Sequence, residues 1–257
     1  MIDDPRELAR VRNPVLVASA AAWIWLLADP GGSRMQGHCA AESFQALLTM
    51  NPPASLFAGW GVMLAAMMAP ALILPIAQLR MRSFKRRRAR AVALFLGGYA
   101  AVWMAVGSVL LAATLGAWWW APGSYLPAAV AIAAAIVWQL SPLKQRCLNR
   151  CHAPAQLSAF GSAADLDALR YGVSHGAWCA GSCWAAMFAA MLLPRGHLAA
   201  MAIVAVLVFG ERLERPAPPR WRWRGLGKLG RIAAAQARIR LQPLVGRRYP
   251  SSASRYV

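Results

Sequence analysis

Long apolar runs, with the basic residues gathered between them, set the folding problem for this chain. They lie at about 13–28, 56–79, 91–120, 125–140, 171–193 and 197–213. A helix needs roughly 17 to 25 apolar residues to cross the hydrocarbon core of a bilayer. Lipid offers a backbone no hydrogen bonds, so runs of this kind fold as helices. A chain of 257 residues that is 59% hydrophobic and only 14% charged is too apolar for a soluble domain. The expected fold is all-α, a polytopic membrane bundle of about six transmembrane helices, with the lipid bilayer as its first partner. Residues 1–215 make up this helical domain and residues 216–257 a basic tail. The first run, preceded by Arg6, Arg10 and Arg12, reads equally as a signal peptide.

Topology accounts for the net charge of +19. Arg80 to Arg90 carries seven basic residues and no acid, and the tail from Glu211 carries twelve against two acids. Lys and Arg concentrate on cytoplasmic loops, so both clusters face inward and both chain ends are cytoplasmic. The external segments then hold only Arg34 and Arg195. Trp118, Trp119, Trp120 and Tyr125 form an outer aromatic anchor. The expected location is a bacterial inner membrane. Nucleic-acid binding requires a basic face on a water-soluble fold, so no nucleic-acid partner is expected. In the tail, Leu226, Leu229, Ile232, Ala233 and Ile239 share one side of a helical wheel, with Lys228, Arg231 and Arg238 on another. This suits a basic amphipathic helix on anionic lipid of the inner leaflet; a disordered basic tail is the alternative.

Within the fifth run His175, Cys179, Cys183, Met187 and Met191 recur at every fourth residue. In a helix they form one ladder that drifts only ~40° per step. Met63, Met67 and Met68 lie in the second run, which crosses in the opposite direction and is broken by Pro70 and Pro75. Those prolines free backbone carbonyls that something must satisfy. Cys147, Cys151 and His152 follow the fourth run at the inner surface, where Lys144, Arg146 and Arg150 favour thiolate. His38 and Cys39 are adjacent in the first external segment. Each group alone is more simply packing or loop; together they make a track of soft donors running outward from the cytoplasmic face. Thiolate and thioether donors select Cu(I). Zinc is the second choice, better suited to Cys147, Cys151, His152 and His175. With the tail counted from Glu211, no carboxylate lies within the spans, so metal-assisted hydrolysis is not expected.

Three segments carry a resemblance. They are Met67-Met-Ala-Pro70 with Leu74-Pro75, Pro142-Leu-Lys-Gln-Arg-Cys147-Leu-Asn-Arg-Cys151, and His175-Gly-Ala-Trp-Cys179-Ala-Gly-Ser-Cys183-Trp-Ala-Ala-Met187. In order and spacing, over about Leu56 to Arg212, the chain resembles the uncharacterised family of predicted metal-binding integral membrane proteins, some labelled copper chaperones. That family typically shows Gly-Cys-Cys-Trp where this chain has Gly181-Ser182-Cys183-Trp184, so one thiol is absent. The resemblance implies a membrane fold and metal binding. It leaves transport and delivery equally open.

The leading expectation is a membrane protein that binds Cu(I) between its second, fourth and fifth helices and moves it or hands it to a metalloprotein client. Other readings are a membrane thiol-redox protein using Cys147/Cys151 or Cys179/Cys183, and a scaffold in which Cys and Met merely pack. Cysteines at i and i+4 on a regular helix sit poorly for a direct disulfide.

Overall fold

The computed structural model describes residues 5–28, 49, 52–154, 157–158, 160–223 and 227–246. The His38–Cys39 pair lies outside them. Among the described residues there is no strand. The helices are α1 (Pro5–Ala28), α2 (Pro53–Met68), α3 (Ile73–Arg82), α4 (Arg88–Trp120), α5 (Leu126–Leu140), α6 (Pro142–Cys151), α7 (Gly161–Met191), α8 (His197–Leu213) and α9 (Gly227–Gly246).

The second apolar run is divided for the reason its prolines give. Pro70 has no N–H, which leaves the carbonyl four residues back, that of Ala66, without its helical donor. The chain tightens into a 3-10 turn over Ala69–Leu72 before α3 begins. Buried Ser19 of α1 donates its hydroxyl to the Ala66 oxygen at 2.7 Å. The freed carbonyl thereby becomes a joint between α1 and α2.

α7 lies at the centre of the bundle, packed most extensively on α4 and also on α5, α6 and α8. Glycine permits the α4 contact. A Cβ on Gly172 would stand 2.1 Å from the Phe95 carbonyl oxygen, and one on Gly98 would stand 2.7 Å from that of Leu169. Gly172, Gly176 and Ala180 repeat every fourth residue along α7, the small-residue pattern that lets membrane helices approach closely. α2 meets α4 by similar means: Trp60 Nε1 donates to the Trp103 carbonyl at 3.0 Å, above Gly107.

The fourth run ends at Ser141, where the chain turns by 67° into α6. The Ser141 hydroxyl accepts the Lys144 amide at 3.2 Å, and Pro142 is the first helical residue. This is the chemistry of a new helix start, so Cys147 and Cys151 sit on a separate element. The polar stretch before Tyr171, whose Asp165 and Asp167 suit a surface loop or short helix, is continuous with α7, which begins at Gly161. Asp165 there is paired with Arg87 at 2.7 Å and Arg90 at 2.9 Å, anchoring the helix start to α4.

Among the described residues, Arg6–Ala28, Pro53–Arg82 and Lys85–Trp120 are long and apolar enough to cross a membrane, and α5 with α6 makes a fourth if the bent pair is one span. The fifth and sixth runs are not among them. The centre of α7 mixes Gly, Ser, His and Trp with its apolar residues, and α8 is only 17 residues long.

Candidate metal centre

The close approach of α4 and α7 encloses the every-fourth-residue ladder. Cys179 and Met187 are 0% exposed and Cys183 1%. Cys183 Sγ lies 3.9 Å from Met187 Sδ and 3.2 Å from the Cys179 carbonyl oxygen. Cys179 Sγ lies 3.3 Å from the hydroxyl of Tyr99 on α4. One turn away, His175 is surrounded by the rings of Phe95, Tyr99 and Tyr171 at 6.0, 6.1 and 5.8 Å between centroids. Its Nε2 is buried with no hydrogen-bond partner. Ser182, which stands where the resembling family carries a thiol, donates its hydroxyl to the Cys179 carbonyl at 2.7 Å and so bonds back to its own helix.

The other expected donors divide. Cys147 meets the far side of α7: a Cβ on Gly181 would stand 2.9 Å from Cys147 Sγ. Gly181 is two residues, about 200° of helical turn, from both Cys179 and Cys183. Cys151 is buried and has Arg212 of α8 and Cys179 as charge neighbours. His152 has both ring nitrogens against backbone oxygens, Nδ1 at 2.8 Å from that of Leu148 and Nε2 at 3.1 Å from that of Arg212. Met63, Met67 and Met68 belong to the same buried core as Cys179, Cys183 and Met187. They sit on α2, which packs chiefly on α1 and also on α4 and α8. The structure thus brings together the two thiols and the thioether of α7, and leaves Cys147 and His152 apart from them.

The expectation of ready thiolates on α6, beyond the fourth apolar run, is corrected. Burial pushes the Cys147 thiol up from its ordinary value and that of Cys151 up to about 12. The nearby basic residues do not offset this, because Arg146 is exposed, Arg150 lies over the Trp178 ring at 5.8 Å and Lys144 is paired with Glu211.

Three further features carry charge or a hydrogen bond to this region, and the sequence reading missed them. Tyr99 holds Cys179 from α4. Arg212 neighbours the thiols of Cys151, Cys179 and Cys183, and its Nε and Nη2 are buried without a hydrogen-bond partner. Lys144 and Glu211, 3% and 4% exposed, form an ion pair at 2.8 Å, and Gln139 bonds to both. Glu211 is therefore a buried carboxylate inside the last turns of α8, where the sequence was read as the start of the tail. The periodicity of α8 held the signal. Met201, Val204, Val208 and Glu211 are its buried stripe, and Arg212 borders it.

Among the described residues, no three His, Cys, Asp or Glu side chains stand close enough to hold a metal ion. The grouped donors are sulfur: two thiols and a thioether, with an unpartnered imidazole nitrogen one turn on. Such a set suits a soft ion of low coordination number and lacks the four-ligand nitrogen and sulfur shell of structural zinc.

An all-helical bundle enclosing a thiol and thioether ladder is the class that fold and site define. The chain belongs to the PpoB2 family, described as a copper chaperone, whose model matches residues 57–234. No curated protein and no solved structure matches the chain.

Proposed function

We propose that this chain is an integral membrane protein that binds one Cu(I) through Cys179, Cys183 and Met187 and passes it to or from a partner metalloprotein. Six helices cross a bacterial inner membrane, with both chain ends, α6 and the basic tail on the cytoplasmic side. The observation that carries the reading is the fully buried contact of Cys183 Sγ with Met187 Sδ at 3.9 Å, in one ladder with Cys179. Two thiolates and a thioether form a three-coordinate sulfur shell, which Cu(I) accepts readily. Membership of a copper chaperone family supports copper as the cargo. His175 Nε2 is the next free donor toward the cytoplasm, and Cys151, across Arg212, is the first thiol met from that side. Tyr99 fixes Cys179 from the neighbouring helix. Bound copper requires only exchange of soft ligands, and the ladder offers successive donors without a water-filled cavity.

Metal content tests the proposal. The full chain, purified in detergent and loaded anaerobically with Cu(I) or Zn(II), is expected to retain close to one copper per chain and little zinc. Cys179→Ser/Cys183→Ser is expected to retain neither. Wild type without copper, or a double variant that retains as much as wild type, would falsify it.

A further inference from the structure

The ladder sits beside a guanidinium with two buried nitrogens that no carboxylate among the described residues neutralises. Lys144 and Glu211 compensate each other at 2.8 Å, and Gln139 bridges the pair, donating to the Glu211 carboxylate and accepting from the Lys144 ammonium. Arg212, the next residue along α8, has no ion pair among the described residues, and its Nε and Nη2 are buried without a hydrogen-bond acceptor. His152 Nε2 lies 3.1 Å from its backbone oxygen and Leu148 O lies 2.8 Å from the other ring nitrogen, so the end of α6 holds this turn of α8 in place. α7 and α8 run antiparallel from the short turn at 192–196, which brings Arg212 to the level of Cys179, within hydrogen-bonding reach of the Cys179 and Cys151 thiols and with Cys183 as a charge neighbour. A guanidinium that is half enclosed and meets thiols instead of a carboxylate is costly, and a structure keeps one where an anion will join it.

We infer that Arg212 is the counter-charge of the metal site and sets its preference for a monovalent ion. The inference rests on the reading of Cys179, Cys183 and Met187 as the copper ligands. Loading replaces two thiol protons, released to solvent, by one Cu(I). Two thiolates and Cu(I) carry one negative charge, and Arg212 brings the buried total to zero. A divalent ion on the same thiolates is already neutral, so with Arg212 present the site is left with one uncompensated positive charge. Arg212 touches no cargo in this account; it selects by charge.

Removing the guanidinium therefore moves the two metals in opposite directions, which lost packing alone cannot do. The full chain in detergent is titrated with Cu(I) against a chromophoric Cu(I) chelator, and separately with Zn(II) against a chromophoric Zn(II) chelator. Arg212→Gln is expected to weaken Cu(I) binding by about 100-fold, the scale set by uncompensating a buried charge, while Zn(II) binding strengthens. Arg212→Lys restores the Cu(I) preference to within about tenfold, because it restores the charge. If Arg212→Gln does not fold, Arg212→Met removes the same charge while keeping an apolar stem, and the same opposite shifts in Cu(I) and Zn(II) affinity are expected of it. Equal loss of both metals in Gln and Lys variants, or unchanged Cu(I) affinity in Arg212→Gln, overturns the charge role while leaving the sulfur ligands standing. Wild type that takes up no Cu(I) removes the site and the inference together.

Discussion

Single residues in this bundle act by what they leave unsatisfied when changed. Ser19 donates to the Ala66 carbonyl that Pro70 deprives of its helical partner. Ser19→Ala should cost about 1–3 kcal/mol, the penalty for a buried acceptor left unpaired. Pro70→Ala should offset much of that loss by returning an N–H to the helix, and a double-mutant cycle on thermal unfolding in detergent measures the coupling. Additive effects would show that the serine bond does not depend on the break that Pro70 makes. The Lys144–Glu211 pair follows the same logic with charge. Lys144→Met alone should destabilise by about 3–5 kcal/mol because it strands a buried carboxylate, whereas Lys144→Met/Glu211→Leu should recover most of the loss. A double variant no better than the single would mean that the pair does not act as a unit. The sequence made the sulfur ladder legible, since every-fourth-residue spacing on one helix needs no partner to be seen. It did not show Tyr99 on Cys179, or Arg212 beside the thiols, because those contacts depend on how α4 and α8 rotate against α7.

Elements meet here through small residues, and the position of each glycine decides its importance. A Cβ on Gly172 would enter the Phe95 carbonyl at 2.1 Å, whereas one on Gly97 meets nothing within 4 Å. Gly172→Ala must push α4 and α7 apart, at a cost of about 1–3 kcal/mol or more, and should also lengthen the contact of Tyr99 with Cys179. Gly97→Ala should be silent or slightly stabilising, since alanine favours the helix. Thermal unfolding of both variants checks this; equal effects would contradict the close-approach account. Gly97 and Gly98 are equivalent in the sequence, and only packing distinguishes them. The break at Ser141 was half legible. Pro142 signalled an end to α5, yet the 67° turn that sends Cys147 to the far side of α7 is a tertiary result. The start of α7 at Gly161 was hidden because Asp165 and Asp167 resemble loop chemistry until Arg87 and Arg90 are found opposite Asp165.

The whole molecule is a helical bundle in which α7 carries the soft donors and its neighbours carry the groups that hold, charge and enclose them. Helical class was legible from the apolar runs because backbone satisfaction in lipid leaves few alternatives. The central helix admits Gly, Ser and His along its middle, and it is not among the helices apolar enough to cross a membrane, because its neighbours rather than its own composition enclose it. The central claim is that Cys179, Cys183 and Met187 together ligate Cu(I). X-ray absorption at the copper edge, on the full chain loaded anaerobically in detergent, reads the ligand shell directly. The account predicts Cu(I) in an all-sulfur shell, reduced by one sulfur in Met187→Leu and lost in Cys179→Ser/Cys183→Ser. A shell of nitrogen or oxygen, or a sulfur shell unchanged by these substitutions, would contradict it.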